Sequence, residues 1–141
     1  MKTARIRPGQ TGIRAVLFDL EADIMEIVWS NGWERFTVSE VHAQLERQRD
    51  IAYTTVMTTV DRLFSKELLT RTRQGKRYQY RPVMTRQAFC REMAQEVFDC
   101  LPGLGRETAL ALLVDRVGAA DDDELASLEA LIRAKRKELE P

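Results

Sequence analysis

The stretch from Ile51 to Val83, IAYTTVMTTVDRLFSKELLTRTRQGKRYQYRPV, joins a helix-period segment to a short strand pair, and it constrains the fold more than any other part of the chain. In its first half Ala52, Val56, Val60 and Leu63 recur on one side of a helix, while Thr54, Thr55, Thr58, Asp61, Arg62 and Ser65 fall on the other. The spacing predicts one face to bury and one to leave bare. Threonine is a poor choice for a solvated helical face, because its β-branch loses rotamer freedom there, so the cluster Thr54, Thr55, Thr58, Thr59 asks for a reason. Short hydroxyl side chains let a helix come close to a DNA groove, bonding phosphates and base edges while their methyls touch thymine methyls. Taken alone, such a helix is equally compatible with a merely solvated face.

The residues after this helix shift the balance. Leu68 to Arg73, a Gln74-Gly75-Lys76 turn and Arg77 to Pro82 predict a β-hairpin. Tyr78 and Tyr80 alternate with Arg77, Gln79 and Arg81, which predicts one aromatic and one basic face. From Arg62 to Arg81 the positive residues are Arg62, Lys66, Arg71, Arg73, Lys76, Arg77 and Arg81, against a single acid, Glu67. Lys and Arg on such a hairpin can pair with phosphates and displace condensed counterions. Helix, hairpin and charge together predict a winged helix-turn-helix, with Thr54, Thr55, Thr58 and Arg62 facing bases or phosphates and Arg73, Lys76 and Arg77 gripping the backbone.

The preceding residues supply a scaffold. Leu20 to Trp29 places Leu20, Ile24, Ile27 and Val28 near one face and stops at Ser30-Asn31-Gly32. Thr37 and Glu40 form a capping box for a second helix from Val38 to about Gln48, with Val41 and Leu45 inward. His42 has no Cys or His partner at ligand spacing, which makes it a surface or capping residue. Trp29 and Trp33 are expected to cover the core.

The block from Phe18-Asp-Leu-Glu through Thr37-Val-Ser-Glu-Val and Ala52-Tyr-Thr-Thr-Val-Met-Thr-Thr-Val-Asp-Arg-Leu to Arg77-Tyr-Gln-Tyr-Arg-Pro-Val resembles the penicillinase-repressor (BlaI/MecI) family of bacterial transcriptional regulators. The resemblance covers about residues 17 to 138. It implies a homodimeric repressor on an inverted-repeat operator, with Tyr53 of the family motif as a further DNA contact and with control of β-lactamase or cell-wall stress genes. It also implies release by a regulatory protease acting in the C-terminal domain, here near Ala111-Leu112-Leu113, where the Asn-Phe pair cut in some members is absent. The Cys-x-Cys motif of copper-responsive relatives is absent as well.

The chain of 141 residues has a formal net charge of zero, unevenly placed. Through Val83 there are 14 Lys/Arg against 10 Asp/Glu, leaving +4; from Met84 onward 8 against 12 leave −4. The chain therefore has a basic head and an acidic tail, and the tail is unsuited to lie on DNA. The tail predicts three helices: Arg86 to about Cys100, capped by Thr85 and broken at Pro102-Gly103; Arg106 to Val117, closed by Gly118; and a last helix from Asp121 to about Leu139. Leu112, Leu113, Val117, Leu125, Leu128, Leu131 and Ile132 exceed what a lone helical hairpin can shelter, and a symmetric dimer would bury them. Folding back on the chain's own head is the competing arrangement.

The expected fold is therefore mainly α with a small antiparallel β wing. Residues 1–16 would form a flexible basic arm, 17–83 a winged-helix DNA-binding domain and 84–141 a helical dimerisation domain. No apolar run reaches the roughly 20 residues that span a bilayer, and the first 16 residues lack a signal-peptide core, so a cytoplasmic location is expected. Cys90 and Cys100 form no metal pattern, and neither a phosphate loop nor a catalytic constellation is present, so no enzyme, metal or cofactor is expected. Two other classes stay open: a winged helix answering a small ligand, and a winged helix that binds another protein.

Overall fold

The computed structural model describes residues 6–99, 103 and 105–141. Cys100 and Pro102, expected where the first tail helix ends, lie outside the described residues, as do the first five residues of the expected arm. The chain forms two compact units, one reaching to Glu96 and one from Val97 onward.

In the first unit a single 3-10 turn, Gly12–Ala15, precedes α1 (Asp19–Asn31), α2 (Val38–Glu46) and α3 (Tyr53–Ser65). Gly32 ends α1 in the left-handed conformation at φ +64°, donating its N–H to the last carbonyls. Thr37 and Glu40 cap α2 reciprocally: the Glu40 N–H donates to Thr37 Oγ1 at 3.4 Å and the Thr37 N–H to Glu40 Oε1 at 3.1 Å. The three helices bury Ala22, Ile24, Val28, Val41, Leu45, Val56, Val60 and Leu63 completely. Each fully buried Val, Leu or Ile contributes about 1.5–3 kcal/mol.

Ala52 is a correction to the expected inward face, since it is the exposed, extended N-cap of α3, and Thr59 takes the buried place. On α1, Leu20 and Ile27 are only partly covered. The carboxylate of Glu21 is buried among the apolar residues instead.

The wing is β1 (Leu69–Gln74) paired antiparallel with β2 (Arg77–Pro82), leaving Gly75 and Lys76 as the turn, with Gly75 at φ +63°. That register opposes Arg71 to Tyr80 and Arg73 to Tyr78. Directly opposed residues share a face, so the expected separation into an aromatic and a basic face does not hold. Arg71 and Arg73 lie with the tyrosines. The wing's root is tied to the head by a bridge in which Phe36 and Tyr80 exchange N–H···O bonds of 2.9 and 2.8 Å. Trp33, Phe36 and Tyr80 stack in sequence, with centroids about 6 Å apart.

Two expected boundaries move. Of the presumed arm, Ile13 is buried in the core, as is Leu17 just beyond it, and the Arg7 guanidinium donates to the carbonyls of Arg14 and Leu17 at 3.1 and 2.9 Å. The segment from Arg7 onward is thus docked, because it carries apolar residues as well as charge. Helix α4 (Arg86–Asp99), capped by Thr85, packs Phe89 and Met93 into the head core. Phe89 meets Trp29 at 5.5 Å, the Trp29 indole N–H donates to the Met84 carbonyl, and Arg86 pairs with Glu26 at 2.9 Å. The head therefore reaches Glu96 rather than Val83.

In the second unit α5 (Arg106–Ala120) and α6 (Asp122–Glu138) pack on each other. Gly118 does not close α5. The helix runs two residues further, until Asp121 turns extended and its carboxylate accepts the Asp123 N–H to cap α6. Acids at the start of α6 and Lys135, Arg136 and Lys137 at its end suit the helix dipole.

Phe89→Ala should destabilise the head by about 3–5 kcal/mol, the usual cost of deleting a buried aromatic side chain. A chain ended after Val83 should be weaker than one ended after Asp99 by a similar amount in urea unfolding; equal midpoints would put the head's boundary back at 83.

Candidate nucleic-acid interface

Burial of Val56, Thr59, Val60 and Leu63 turns the other side of α3 outward. Tyr53, Thr54, Thr55, Thr58 and Arg62 are all exposed there, as expected of them. Met57 joins this face at 44 % exposure, a residue that helical spacing alone passed over. Its place between Thr54 and Thr58 was the available signal. An unbranched apolar chain beside threonine methyls suits a thymine methyl in a major groove.

The hydroxyls are not all idle. Thr58 Oγ1 donates to the Thr54 carbonyl at 2.9 Å and Thr59 Oγ1 to that of Thr55 at 2.9 Å. This back-bonding satisfies the hydroxyl proton within the helix and leaves the Thr58 oxygen as an acceptor on a bare surface. Beside it, Phe18 and Leu20 at the start of α1 line a groove of about 420 Å³ with Thr54, Thr55, Thr58 and Arg62. His42 is a loop tie: its Nε2 lies 2.9 Å from the Ile51 carbonyl and 3.3 Å from Glu46, while its ring meets Tyr53 edge-on at 5.5 Å. It props the first residue of α3.

Two of the seven positive residues are engaged inside the fold. Lys66, at the end of α3, reaches Glu21 at 2.8 Å, and the Glu21 carboxylate also accepts the Phe18 N–H at 2.9 Å, joining the start of α1 to the end of α3. Nothing in the sequence marked Glu21 as buried. Arg71 pairs with Asp61 of α3 at 2.9 Å. Arg73 bonds the Gly75 carbonyl across the turn and stays exposed. Arg62, Lys76, Arg77 and Arg81 are exposed and form no ion pair among the described residues. Of these seven residues, those left exposed without an ion pair thus lie at the tip and second strand of the wing and at Arg62.

In the second unit Leu112, Leu113, Leu131 and Ile132 are exposed, whereas Val117, Leu125 and Leu128 are half-buried. Val97, Phe98, Leu110 and Val114 enlarge the bare apolar surface, and the first three border a groove of about 730 Å³ along with Leu112 and Leu113. Ala111, Leu112 and Leu113 lie mid-way along α5. Among the described residues no cluster of His, Cys, Asp and Glu suits a metal ion, and no helix is long and apolar enough to cross a membrane.

A family model described as penicillinase repressor matches residues 17–134. The transcriptional regulator BlaI of Mycobacterium tuberculosis is 39 % identical over 119 residues, covering 81 % of this chain and 86 % of that protein. A 16.5 kDa protein of Latilactobacillus sakei is 29 % identical, covering 82 % and 77 %. Among solved structures, the DNA-binding domain of the repressor BlaI matches 48 % of this chain and 80 % of its own at 24 % identity and a TM-score of 0.43.

Thr58→Ala combined with Arg62→Ala should lower the affinity for a cognate duplex by roughly 1–3 kcal/mol for each base that is no longer read, with the fold kept. An unchanged ratio of cognate to random-duplex affinity would remove α3 as the sequence reader. Neutralising Lys76 and Arg77 should instead weaken binding to every duplex alike and flatten the salt dependence by about one unit of slope for each phosphate that is no longer paired. A steady slope with collapsed discrimination would reverse these assignments.

Proposed function

Because the chain belongs to the penicillinase repressor family, with the winged-helix DNA-binding fold of a transcriptional regulator, we propose that it represses transcription as a homodimer on an inverted-repeat operator. The observation that carries this is the juxtaposition, in one unit, of a bare Thr, Met and Arg face on α3 with the exposed wing cations Lys76, Arg77 and Arg81, which form no ion pair among the described residues. In this reading α3 enters the major groove, with Tyr53, Thr54, Thr55, Thr58 and Arg62 nearest the DNA. Arg73, Lys76 and Arg77 then hold the adjacent backbone. Phosphate contacts of this kind supply affinity and register, while base-edge contacts supply discrimination.

The bare apolar surface of α5 and α6 supports pairing of two copies, through Leu112, Leu113, Leu131 and Ile132 with Val117, Leu125 and Leu128 beneath. Each head carries α4 as part of its own core, so loss of the second unit leaves a folded reader without a tether. Release by proteolysis near Ala111 to Leu113 fits that division. These residues are helical, and a protease needs extended backbone, so a cut there requires local unwinding of α5 first. Genes for β-lactam or cell-wall stress responses are the targets most in keeping with the family.

Truncation after Leu112 tests the whole scheme. It should leave the head folded and its affinity for a single half-site nearly intact. Binding to the full operator should fall by on the order of 10²–10⁴, because two tethered heads gain that factor through effective concentration. Sedimentation and operator titration decide it: a truncated chain that is still dimeric and binds tightly would rule out this tail as the coupling element.

A further inference from the structure

The positive charge of Arg71 is turned inward, and three groups from two other elements hold it. Its guanidinium donates to Asp61 Oδ1 on α3 at 2.9 Å. It lies 4.0 Å from the ring centroid of Phe64 on α3 and 4.2 Å from that of Tyr78 on β2. The side chain is 27 % exposed, well covered for an arginine on a two-stranded wing. A planar, delocalised cation suits stacking on rings while its edge N–H groups meet a carboxylate; a lysine ammonium cannot do both.

We propose that Arg71 is a positioning residue that fixes the wing against the recognition helix, and so sets the spacing between the phosphate grip and the reading face. The hairpin has only two strands, and a ribbon of that size is marginal by itself. The Phe36–Tyr80 bridge secures its root, towards Leu69 and Pro82. Arg71 lies opposite Tyr80, two pairs nearer the root than the Arg73–Tyr78 pair, and joins β1 to α3 directly. With the wing held in place, Arg73, Lys76 and Arg77 meet the backbone at a set distance from Thr58 and Arg62. The duplex register is then chosen before binding rather than during it. The role rests on the DNA-binding function proposed above.

The test uses the full chain, a duplex selected by the wild-type protein from a random-sequence pool, two substitutions that leave net charge unchanged, Arg71→Lys and Phe64→Leu, and a third that removes the charge, Arg71→Gln. In the free protein, hydrogen exchange of the wing amides should quicken on the order of tenfold in both Arg71→Lys and Phe64→Leu, while exchange in α1 and α2 stays as in the wild type. Affinity for the selected duplex should fall about tenfold, random-duplex affinity much less, and the salt slope should stay the same. A merely structural defect would quicken exchange throughout the head. A phosphate contact would predict a slope lower by about one unit with discrimination kept for Arg71→Gln, and wild-type behaviour for Arg71→Lys. That pair of results, or unchanged wing exchange in Arg71→Lys and Phe64→Leu, overturns the proposal. A wild-type chain that enriches no duplex overturns the DNA-binding function itself, while exchange still decides whether Arg71 holds the wing.

Discussion

The complete burial of one side of α3 is the constraint on which the rest of the head depends. Val56, Val60 and Leu63 are sealed by α1 and α2, and Thr59 is drawn in with them, so every remaining polar side chain on the helix must face outward. Hydrophobic burial is non-directional, and it does not by itself choose how the helix is rotated or how far it slides. That choice comes from directed contacts at its two ends. His42 and Tyr53 define the beginning. The Glu21–Lys66 pair defines the end, with the same carboxylate capping α1.

A buried carboxylate is a costly way to join two helices, since desolvation offsets much of the attraction between the charges. Its value here is directional. Glu21 satisfies one of the N-terminal donors of α1 and orients Lys66, whose Nζ lies 5.0 Å from the centroid of the exposed Phe18 ring. Arg71 plays the corresponding part on the other side of α3, where Asp61 and two aromatic rings hold it. Charge within this head is therefore divided in two: a few cations are drawn into the fold and shape its surface, and those at the wing's tip and at Arg62 stay exposed.

The division of the chain has a mechanical consequence. With Phe89 and Met93 in the head's core, α4 leaves the head as a helix already anchored over its first turns. Helix α6 has no buried residue among those described, and the apolar side chains of α5 are largely bare. The two units thus differ in kind: one satisfies its own hydrophobic demand and the other leaves that demand open to a second surface.

Much of this was legible in the residues. Helical period, the Thr37–Glu40 box, the Gly32 stop and the Gly75 turn are local signals, set by backbone sterics and by side chains three or four residues apart, and they located α1 to α3 and the wing. The exposed candidates on α3 followed from the same period. The faces of the wing did not, because which residues oppose one another depends on pairing register between strands, and that placed Arg71 and Arg73 with the tyrosines. Nor did the docking of Ile13 and Phe89, the burial of Glu21, or the inward capture of Lys66 and Arg71. Each of these joins residues distant along the chain, or residues whose own type favours solvent, and is decided by which surfaces meet once the helices have packed. The sequence by itself determined the elements and the chemistry they carry; the tertiary structure decided which charges remained free to act, because an ion pair or a stacked guanidinium exists only where two elements are brought within a few ångströms of each other.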